Sequence, residues 1–457
     1  MADSKHKKSS KRSPARHSSD SRSPGSQEAV SRSRGRTPRN EGGSDAAEKE
    51  EIAKHLVKCD YYFGITPREE IEGFLKNDGD FLVRRTETAK TNLVRITLSL
   101  IFDGHYRHLG FKHDADGWSV CFQKYPSIPE LIEKSIKGKM FVNNERNYIK
   151  TPITRPEFYI FHDNITLGKE MGSGAFGTVN KGTWKRNDDT IEVAIKTLKG
   201  NVDRKTKHGF VKEAKLMVMF KNAKNIVTMH GIAIQQEPLM IILELCPGGC
   251  LHNKLNANPN IEVSQLVRYA KDAVSGLCYL AVRKVIHRDV AARNCLLGPN
   301  DEVKISDFGL SVKGDSLKHI KGTKLPVKWI APEIFKTGLF TQKSDIWAFG
   351  IMLWEIFSHC QTEPFPSLTN KKAKEKVLSG VQPMDPPEIT PKDIQEVMKK
   401  CWTFDAEKRP DFEEVFKIMC PDEPSQFDDD ARTTANIVEK VMPKFVTSVY
   451  LPSPGCY

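Results

Sequence analysis

The sequence predicts an α+β protein with more than one domain. At 457 residues and 39% apolar content, the chain is long enough for about three domains with buried cores. Residues 79–84 alternate as a half-buried strand, and residues 207–220 place apolar side chains at helical spacing. Val285 to Asn294 is an apolar strand leading into a polar loop, which is typical of a site and not of a core.

The formal net charge of +12 is unevenly distributed. Residues 1–40 hold eleven Lys and Arg against three Asp and Glu, a difference of +8, so the folded part is nearly neutral. The ten cysteines show no Cys-x-x-Cys spacing, which indicates reduced thiols. With no apolar membrane-length run, no signal peptide and no glycine at position 2, we expect a cytoplasmic protein.

Residues 1–50 are rich in Ser, Arg and Lys and lack apolar periodicity, which predicts a disordered tail. Its basic pairs and Ser-Pro dipeptides fit three roles: a solvated phosphorylatable tail, a tether to an anionic membrane surface, or a nuclear or RNA-contact segment. We favour the first, and the other two leave membrane association or partial nuclear localisation open.

The next segment carries residues suited to phosphate capture. In Gly79-Asp80-Phe81-Leu82-Val83-Arg84, the alternation puts Arg84 on the same strand face as Leu82, where an arginine needs an anionic partner. A guanidinium fork, hydroxyls and turn amides together bind phosphate. The residues expected to converge are Arg68, Arg84, Thr86, Thr88, His105 and Arg107.

This segment resembles a Src-homology-2 (SH2) domain over residues 60–147. The resemblance is carried by Phe81-Leu82-Val83-Arg84, by Tyr61-Tyr62-Phe63-Gly64, and by Ser127 to Ile132 at the start of a helix. It implies an antiparallel sheet flanked by two helices, with Arg84 and the residues around it gripping phosphotyrosine.

After a linker at 148–164, the stretch from Leu167 to Val179 carries a Gly-x-Gly-x-x-Gly turn between two strands. Glycines let backbone amides approach phosphate oxygens closely. Dinucleotide-binding folds use the same pattern, but the following Val193-Ala194-Ile195-Lys196 strand favours a kinase lid. On the next helix Glu213 lies on an apolar face, where it needs a cation, and Lys196 is the expected one.

The loop from His287 to Asn294 provides a carboxylate, Asp289, that can accept a hydroxyl proton, and an amide oxygen, Asn294, suited to Mg²⁺. A second carboxylate, Asp307, follows a strand on a glycine turn. The loop resembles the protein-kinase catalytic loop, and the resemblance extends over residues 165–420. It implies a bilobal fold with Arg409 paired to Glu333.

The kinase resemblance implies a role for each matching residue. The catalytic residues are Asp289, Lys196, Glu213 and Arg293. The ATP-binding residues are Gly172, Gly174, Gly177, Val179, Ala194, Lys196, Glu244 and Cys246. The metal ligands for Mg²⁺ or Mn²⁺ are Asn294 and Asp307.

Ala291 to Asn294 and the platform around Pro326 resemble tyrosine kinases. The domain order resembles non-receptor kinases of the Fes/Fer type, in a short form of the kind found in nematodes that lacks the N-terminal coiled-coil domain. We expect an ATP-dependent tyrosine kinase recruited or activated through phosphotyrosine-containing proteins. The alternatives are a phosphotyrosine adaptor with weak or regulated kinase activity, and an RNA- or chromatin-associated protein built on the basic tail.

The segment between Asp307 and Glu333 contains no tyrosine, although the Fes/Fer type places its activating tyrosine there. Arg288 therefore lacks its usual phosphate partner. Three substitutes are open: the charge of Asp315, phosphorylation of Ser316 by another kinase, or packing of the SH2 domain on the Glu213 helix, which we favour. Residues 421–457 form a tail whose Tyr450 or Tyr457 is a candidate phosphotyrosine ligand, although a solvated terminus is favoured.

Overall fold

A computed structural model describes residues 41–87, 94–120, 123–139, 141–142, 147–173, 177–199, 202–220, 223–318 and 325–423. Within these ranges both domains combine sheets and helices, which confirms the predicted α+β class. Of the predicted tails at 1–50 and 421–457, residues 1–40 and 424–457 lie outside the described residues. No helix in the described ranges is long and apolar enough to cross a membrane.

The first domain is built on a sheet of order β1-β2-β3-β4, with β8 pairing with β2 and a small β5-β6-β7 sheet beside it. One face carries Phe81 and Val83 and packs on α3 and α1, while the opposite face carries Leu82 and Arg84 and adjoins α2. The elements are α1 (Glu41–Lys54), β1 (Tyr62–Ile65), α2 (Arg68–Ile71), β2 (Asp80–Glu87), β3 (Val94–Phe102), β4 (His105–Gly110), β5 (Lys112–Asp114), β6 (Gly117–Ser119), β7 (Lys124–Tyr125), α3 (Ile128–Gly138) and β8 (Thr151–Pro152).

Helix α1 corrects the predicted tail boundary at residue 50. Ile52 is buried in the core of the first domain, Asp45 accepts a hydrogen bond from the Val94 N–H at 2.8 Å, and Glu51 accepts from the Ile128 N–H at 2.7 Å. The segment is too polar to indicate a buried helix by itself. Its carboxylates instead satisfy backbone donors of β3 and α3, which are distant in sequence.

The second domain begins with a five-stranded sheet of order β12-β13-β11-β10-β9, covered by helix α4. Asp203 starts α4 by accepting the Thr206 N–H at 2.8 Å, as an N-cap does. The elements are β9 (Ile165–Ser173), β10 (Gly177–Arg186), β11 (Asp189–Leu198), α4 (Arg204–Val218), β12 (Met229–Ala233) and β13 (Met240–Glu244).

The second domain has two lobes. The five-stranded sheet and α4 form the first, and the second is mainly helical and built around α6 and α8. Every residue of α8 from Ser344 to Phe357 is buried, as its all-round apolar pattern predicts. The elements are β14 (Gly249–Cys250), α5 (Leu251–Ala257), α6 (Val263–Val282), β15 (Val285–Ile286), β16 (Cys295–Leu297), β17 (Val303–Ile305), β18 (Val312–Lys313), β19 (Leu317–Lys318), α7 (Pro332–Thr337), β20 (Leu339–Phe340), α8 (Gln342–Phe357), α9 (Asn370–Leu378), α10 (Lys392–Cys401) and α11 (Phe412–Met419).

The two domains share a continuous core. Phe63 and Ile71 of the first domain belong to the same buried cluster as Phe210 and Ala214 of α4. At the edge of this contact lies an interface charge cluster of Arg85, Glu87, Lys207 and Glu237. Lys207 Nζ is 2.8 Å from Glu87 and 2.7 Å from Glu237, and Arg85 reaches the same two carboxylates at 2.9 and 3.2 Å. The predicted packing of the first domain on the Glu213 helix is therefore present.

Candidate functional site

The cleft between the two lobes brings together a lysine and two carboxylates. Lys196 of β11 lies 2.6 Å from Glu213 of α4 and 3.9 Å from Asp307. Burial opposes the charge on Lys196, but Glu213 and Asp307 outweigh it and raise the pKa of the lysine. Lys196 is thus a charged ammonium aimed into the cleft, suited to binding phosphate oxygens.

Above this lysine, strand pairing positions most of the predicted nucleotide-binding residues. Gly172 pairs with Val179, Val179 with Lys196, and Ala194 with Leu243 of the connecting strand. A Cβ on Gly172 would meet no atom within 4 Å, so packing does not require glycine there, and the open space leaves room for a ligand. Gly174 lies outside the described residues.

The remaining glycine of this loop, Gly177, is fixed by packing. A Cβ on it would lie 2.3 Å from the Thr197 carbonyl oxygen of β11, which a side chain cannot tolerate. Only glycine therefore lets β10 start this close to β11.

The hinge residues Glu244 and Cys246 follow on β13 and the segment after it. The Glu244 carboxylate accepts from the Thr228 N–H at 2.6 Å and pairs with Lys304 at 3.1 Å, so its side chain is engaged within the protein. Burial raises the pKa of Cys246 to about 12, which keeps its thiol neutral. Because the Glu244 side chain is already engaged and the Cys246 thiol is neutral, the predicted contact of these residues with a nucleotide would be made by their backbone groups.

The polar loop places Asp289 between two donors. Asn294 donates its amide hydrogens to Asp289 Oδ2 and to the Asp289 carbonyl, both at 2.7 Å, and Arg293 forms an ion pair with the other carboxylate oxygen. Asp289 is 7% exposed. Both carboxylate oxygens are therefore oriented, which is the geometry of a positioned proton acceptor.

The candidate metal ligands are held side by side by the two strands that carry them. Cys295 pairs with Ile305, and the Ser306 N–H donates to the Asn294 carbonyl at 2.9 Å, so that Asn294 and Asp307 occupy adjacent strand ends. Asn294 uses its amide nitrogen towards Asp289, which leaves its side-chain oxygen as the group for a cation. Asp307 adopts a left-handed backbone conformation with φ 60°, typical of a residue constrained for function.

The loop is anchored from below by two carboxylates of α8 that motif comparison did not identify. Asp345 accepts the backbone N–H groups of His287 at 2.6 Å and Arg288 at 2.9 Å. Glu355 accepts the Ala292 N–H and the Trp329 indole N–H, both at 3.0 Å. Their signal in the sequence was a carboxylate at each end of an otherwise apolar helix, since a buried charge needs partners.

The two lobes of the second domain contact each other around Phe308. Phe308, 1% exposed, packs on Phe220 at 5.0 Å and on His287 at 5.4 Å between ring centroids, beneath α4.

On the substrate side, the Arg293 guanidinium lies 4.5 Å from the centroid of the Trp329 ring. Arg409 donates to both oxygens of Glu333 at 2.8 Å, as predicted.

A second candidate site surrounds Arg84 in the first domain. Arg84 is 5% exposed and donates from Nε to Ser99 Oγ and from a terminal nitrogen to the Thr66 carbonyl, both at 3.1 Å. Burial lowers the pKa of Arg84 to about 10, so it is still charged at neutral pH. Thr86 lies further along β2 and donates to the Arg95 carbonyl at 3.1 Å, while Arg68 on α2 pairs with Glu72 at 3.2 Å.

Two predicted members of this site are wrong, and one residue was missed. His105 pairs with Phe102 and Arg107 with Leu100, which places both on the sheet face opposite Arg84. His108 lies on the Arg84 face, with Nδ1 3.0 Å from Ser99 Oγ, and burial lowers its pKa to about 4. Thr88 lies outside the described residues.

The sequence contained the signal for this register. Asp103 and Gly104 form a two-residue turn with φ 50° and 65°, which makes Phe102 and His105 direct neighbours across the hairpin. Counting from that pair places His108 opposite Ser99. The error came from choosing basic residues by type without counting the register.

Comparison with known proteins finds a matching family for each of the two domains. The family "Protein tyrosine and serine/threonine kinase" matches residues 165–419, and the SH2 domain family matches residues 61–134. Fer-related kinase 1 of Caenorhabditis elegans is 35% identical over 373 residues, which is 80% of this chain and 95% of that protein. The chain belongs to the Fer family of SH2-containing tyrosine kinases.

Other relatives in the Fer family are longer. Tyrosine-protein kinase Fer of Homo sapiens is 37% identical over 80% of this chain, but the chain spans only 44% of its length. The transforming protein Fps of avian sarcoma virus is 33% identical over 81% of the chain and 68% of its own length. The predicted resemblance to the Fes/Fer type, with a nematode relative among the matches, is thereby confirmed.

Proposed function

We propose that the protein transfers the γ-phosphate of ATP to tyrosine hydroxyls of other proteins. The observation that carries this proposal is the complete set of groups in one cleft: Lys196 paired with Glu213, Asp289 oriented by its two donors, and Asp307 beside Asn294. Lys196 binds phosphate oxygens, and Asp289 accepts the proton of the attacking hydroxyl.

The donor set at the strand ends fits Mg²⁺ or Mn²⁺. Asp307 and Asn294 offer one carboxylate and one neutral oxygen, and such ions take few protein ligands because nucleotide phosphates and water complete the octahedron. When bound, the ion neutralises charge on the phosphates. We propose ATP with Mg²⁺ or Mn²⁺ as the cofactors.

Tyrosine specificity is supported by the substrate platform. A serine kinase normally carries a lysine two residues after the base, where this chain has Ala291, and Pro326 offers a phenol ring a rigid apolar surface. With equimolar tyrosine and serine peptides, we expect phosphate on tyrosine alone, read by phosphoamino-acid analysis. Comparable phosphoserine would contradict the assignment.

The SH2 domain is proposed to recruit tyrosine-phosphorylated proteins through Arg84. The adaptor alternative is disfavoured because every residue expected to carry catalysis is present. The basic tail is proposed to be solvated and the protein cytoplasmic. Contact of the tail with a membrane surface or nucleic acid would be detected as a salt-dependent affinity that is lost when residues 1–40 are removed.

Activity without an activation-segment tyrosine is proposed to depend on packing of the SH2 domain against α4. Asp315 pairs with Lys284 at 3.3 Å, so its charge is directed to that lysine. Arg288 donates to the Leu310 carbonyl at 2.9 Å and lies 4.5 Å from the centroid of the Phe340 ring. The interface charge cluster instead fixes α4, and with it the Lys196–Glu213 pair.

We expect Lys207→Glu in the full chain to lower kinase activity about ten-fold, because it places a third carboxylate against Glu87 and Glu237. Adding Glu87→Lys should restore part of the rate, since it recreates an ion pair between the domains. Initial rates on a soluble tyrosine substrate measure the effect.

Lys205→Glu is the matched control, because Lys205 is an exposed neighbour on the same helix. Ser316→Ala should change the rate little. Equal rates for Lys207→Glu and the unaltered chain would refute the packing proposal, and a large loss from Ser316→Ala would assign activation to a second kinase.

A further inference from the structure

Helix α1 holds the first two residues of β3, a central strand of the first domain's sheet. Asp45 Oδ1 accepts the Val94 N–H at 2.8 Å. One turn further along the helix, the buried Glu48 carboxylate lies 3.4 Å from a terminal nitrogen of Arg95. The start of β3 is therefore fixed by a helix that lies outside residues 61–134, the part of the chain that matches the SH2 family.

The second of these residues, Arg95, also contacts the Arg84 face of the sheet through its backbone. Thr86, an expected phosphate contact two residues after Arg84, donates from Oγ1 to the Arg95 carbonyl at 3.1 Å. The same oxygen lies 3.1 Å from Oγ1 of Thr97, the buried residue that pairs with Arg84 across the two strands. The Thr86 hydroxyl is thus positioned by Arg95 and Thr97.

Helix α1 reaches this site through the strand and not by direct contact. Its Ile52 is buried in the core on the sheet face opposite Arg84. The Val94 N–H binds the helix, and the carbonyl of the next residue binds Thr86. Only the backbone of two extended residues separates these groups, and planar peptide units leave little freedom between them. A displacement of the start of β3 therefore displaces the Thr86 hydroxyl.

The Glu48 carboxylate is placed at a cost that packing of the helix does not explain. Burial raises the pKa of Glu48 to about 7, and its Oε2 is buried without a hydrogen-bond partner among the described residues. An apolar side chain at this position would cover the sheet at lower cost. What the carboxylate adds is its contact with Arg95, which is consistent with a role in placing that residue.

We infer that α1 is part of the phosphotyrosine-binding unit, with Asp45 and Glu48 as positioning residues for the Arg84 site. They fix the start of β3, and thereby the Thr86 hydroxyl, before the phosphate binds. A group that is already ordered loses less conformational freedom on binding. The inference rests on the proposed phosphotyrosine binding by Arg84. It means that the recognition unit begins upstream of the part that matches the SH2 family.

The test measures the affinity of the full chain for a fluorescein-labelled peptide library with one fixed phosphotyrosine and randomised neighbours, followed by fluorescence anisotropy. Asp45→Ala should weaken binding about five-fold, the effect of one hydrogen bond lost at the start of β3. Asp45→Asn, whose amide oxygen can still accept the Val94 N–H, should stay within about two-fold. The matched control Glu50→Ala removes an exposed carboxylate from the same helix and should also stay within about two-fold.

A thermal melt of each variant shows whether the fold is retained. If Asp45→Ala does not fold, Glu48→Met decides, because methionine suits the apolar surroundings and removes the contact with Arg95. It should weaken binding about three-fold.

The outcomes separate the inference from the proposed function. Unchanged affinity in Asp45→Ala, or in Glu48→Met where that variant is the one that folds, overturns the inference, and the SH2 assignment stands if Arg84→Ala removes binding. An equal loss from Asp45→Asn also overturns it, because it indicates an effect of charge and not of the hydrogen bond. If Arg84→Ala itself leaves binding intact, the proposed phosphotyrosine site is misplaced.

Discussion

Asp289→Asn should leave a folded protein whose phosphate transfer falls by about 10²-fold or more. The amide cannot accept the proton of the attacking hydroxyl. It also presents a hydrogen-bond donor where Arg293 and Asn294 already donate. Initial rates with MgATP and a poly-Glu-Tyr substrate measure the loss.

Asp307→Asn and Lys196→Arg should show losses of the same order, the first through the metal site and the second through the displaced contact with Glu213. The matched control is Asp315→Asn, an 84% exposed side chain in the same segment as Asp307. Near-normal turnover in any of the three cleft variants would falsify the catalytic assignment, provided that thermal melting shows an intact fold.

Arg84→Ala should lower phosphotyrosine-peptide affinity by about 10²-fold or more, since it removes a buried charge-assisted contact. Activity on a soluble substrate that does not engage the SH2 domain should change much less. Calorimetry with one phosphopeptide, and the same peptide without phosphate, measures the effect.

The control for Arg84 is Arg107→Ala, which removes an arginine from the opposite face of the same sheet. Affinity should stay within about two-fold for this control, because the sheet separates its side chain from the pocket. A loss equal to that of Arg84→Ala would show that the ligand does not sit on the Arg84 face, and the register argument for His108 would fail with it.

Residues whose roles follow from short local motifs could be predicted from the sequence. Lys196, Glu213, Asp289 and Asp307 each sit in a short stretch whose chemistry is unusual, and their succession along the chain fixes the two-lobed arrangement. The Lys196–Glu213 pair was expected because a carboxylate on an apolar helix face needs a cation, and the two atoms lie 2.6 Å apart.

Features that depend on contacts between residues far apart in the sequence could not be predicted from it. The partners of Lys207, Glu87 and Glu237, lie 120 and 30 residues away, and no local pattern brings the three together. Asp345 anchors the loop from 58 residues downstream. Helix α1 escaped prediction for a related reason, because its acidic side chains are stabilised by backbone donors that only the folded sheet presents.

The contact between Gly64 and Ile234 limits which substitutions the interface between the two domains can accept. The Ile65 N–H donates to the Ile234 carbonyl at 3.0 Å, and a Cβ on Gly64 would lie 2.1 Å from that same oxygen. Because backbone atoms make this contact, surrounding side chains can be exchanged without abolishing it. A single methyl group at position 64, however, would act as a wedge between the domains. The interface between the domains thus tolerates substitutions at many positions, whereas position 64 must remain glycine.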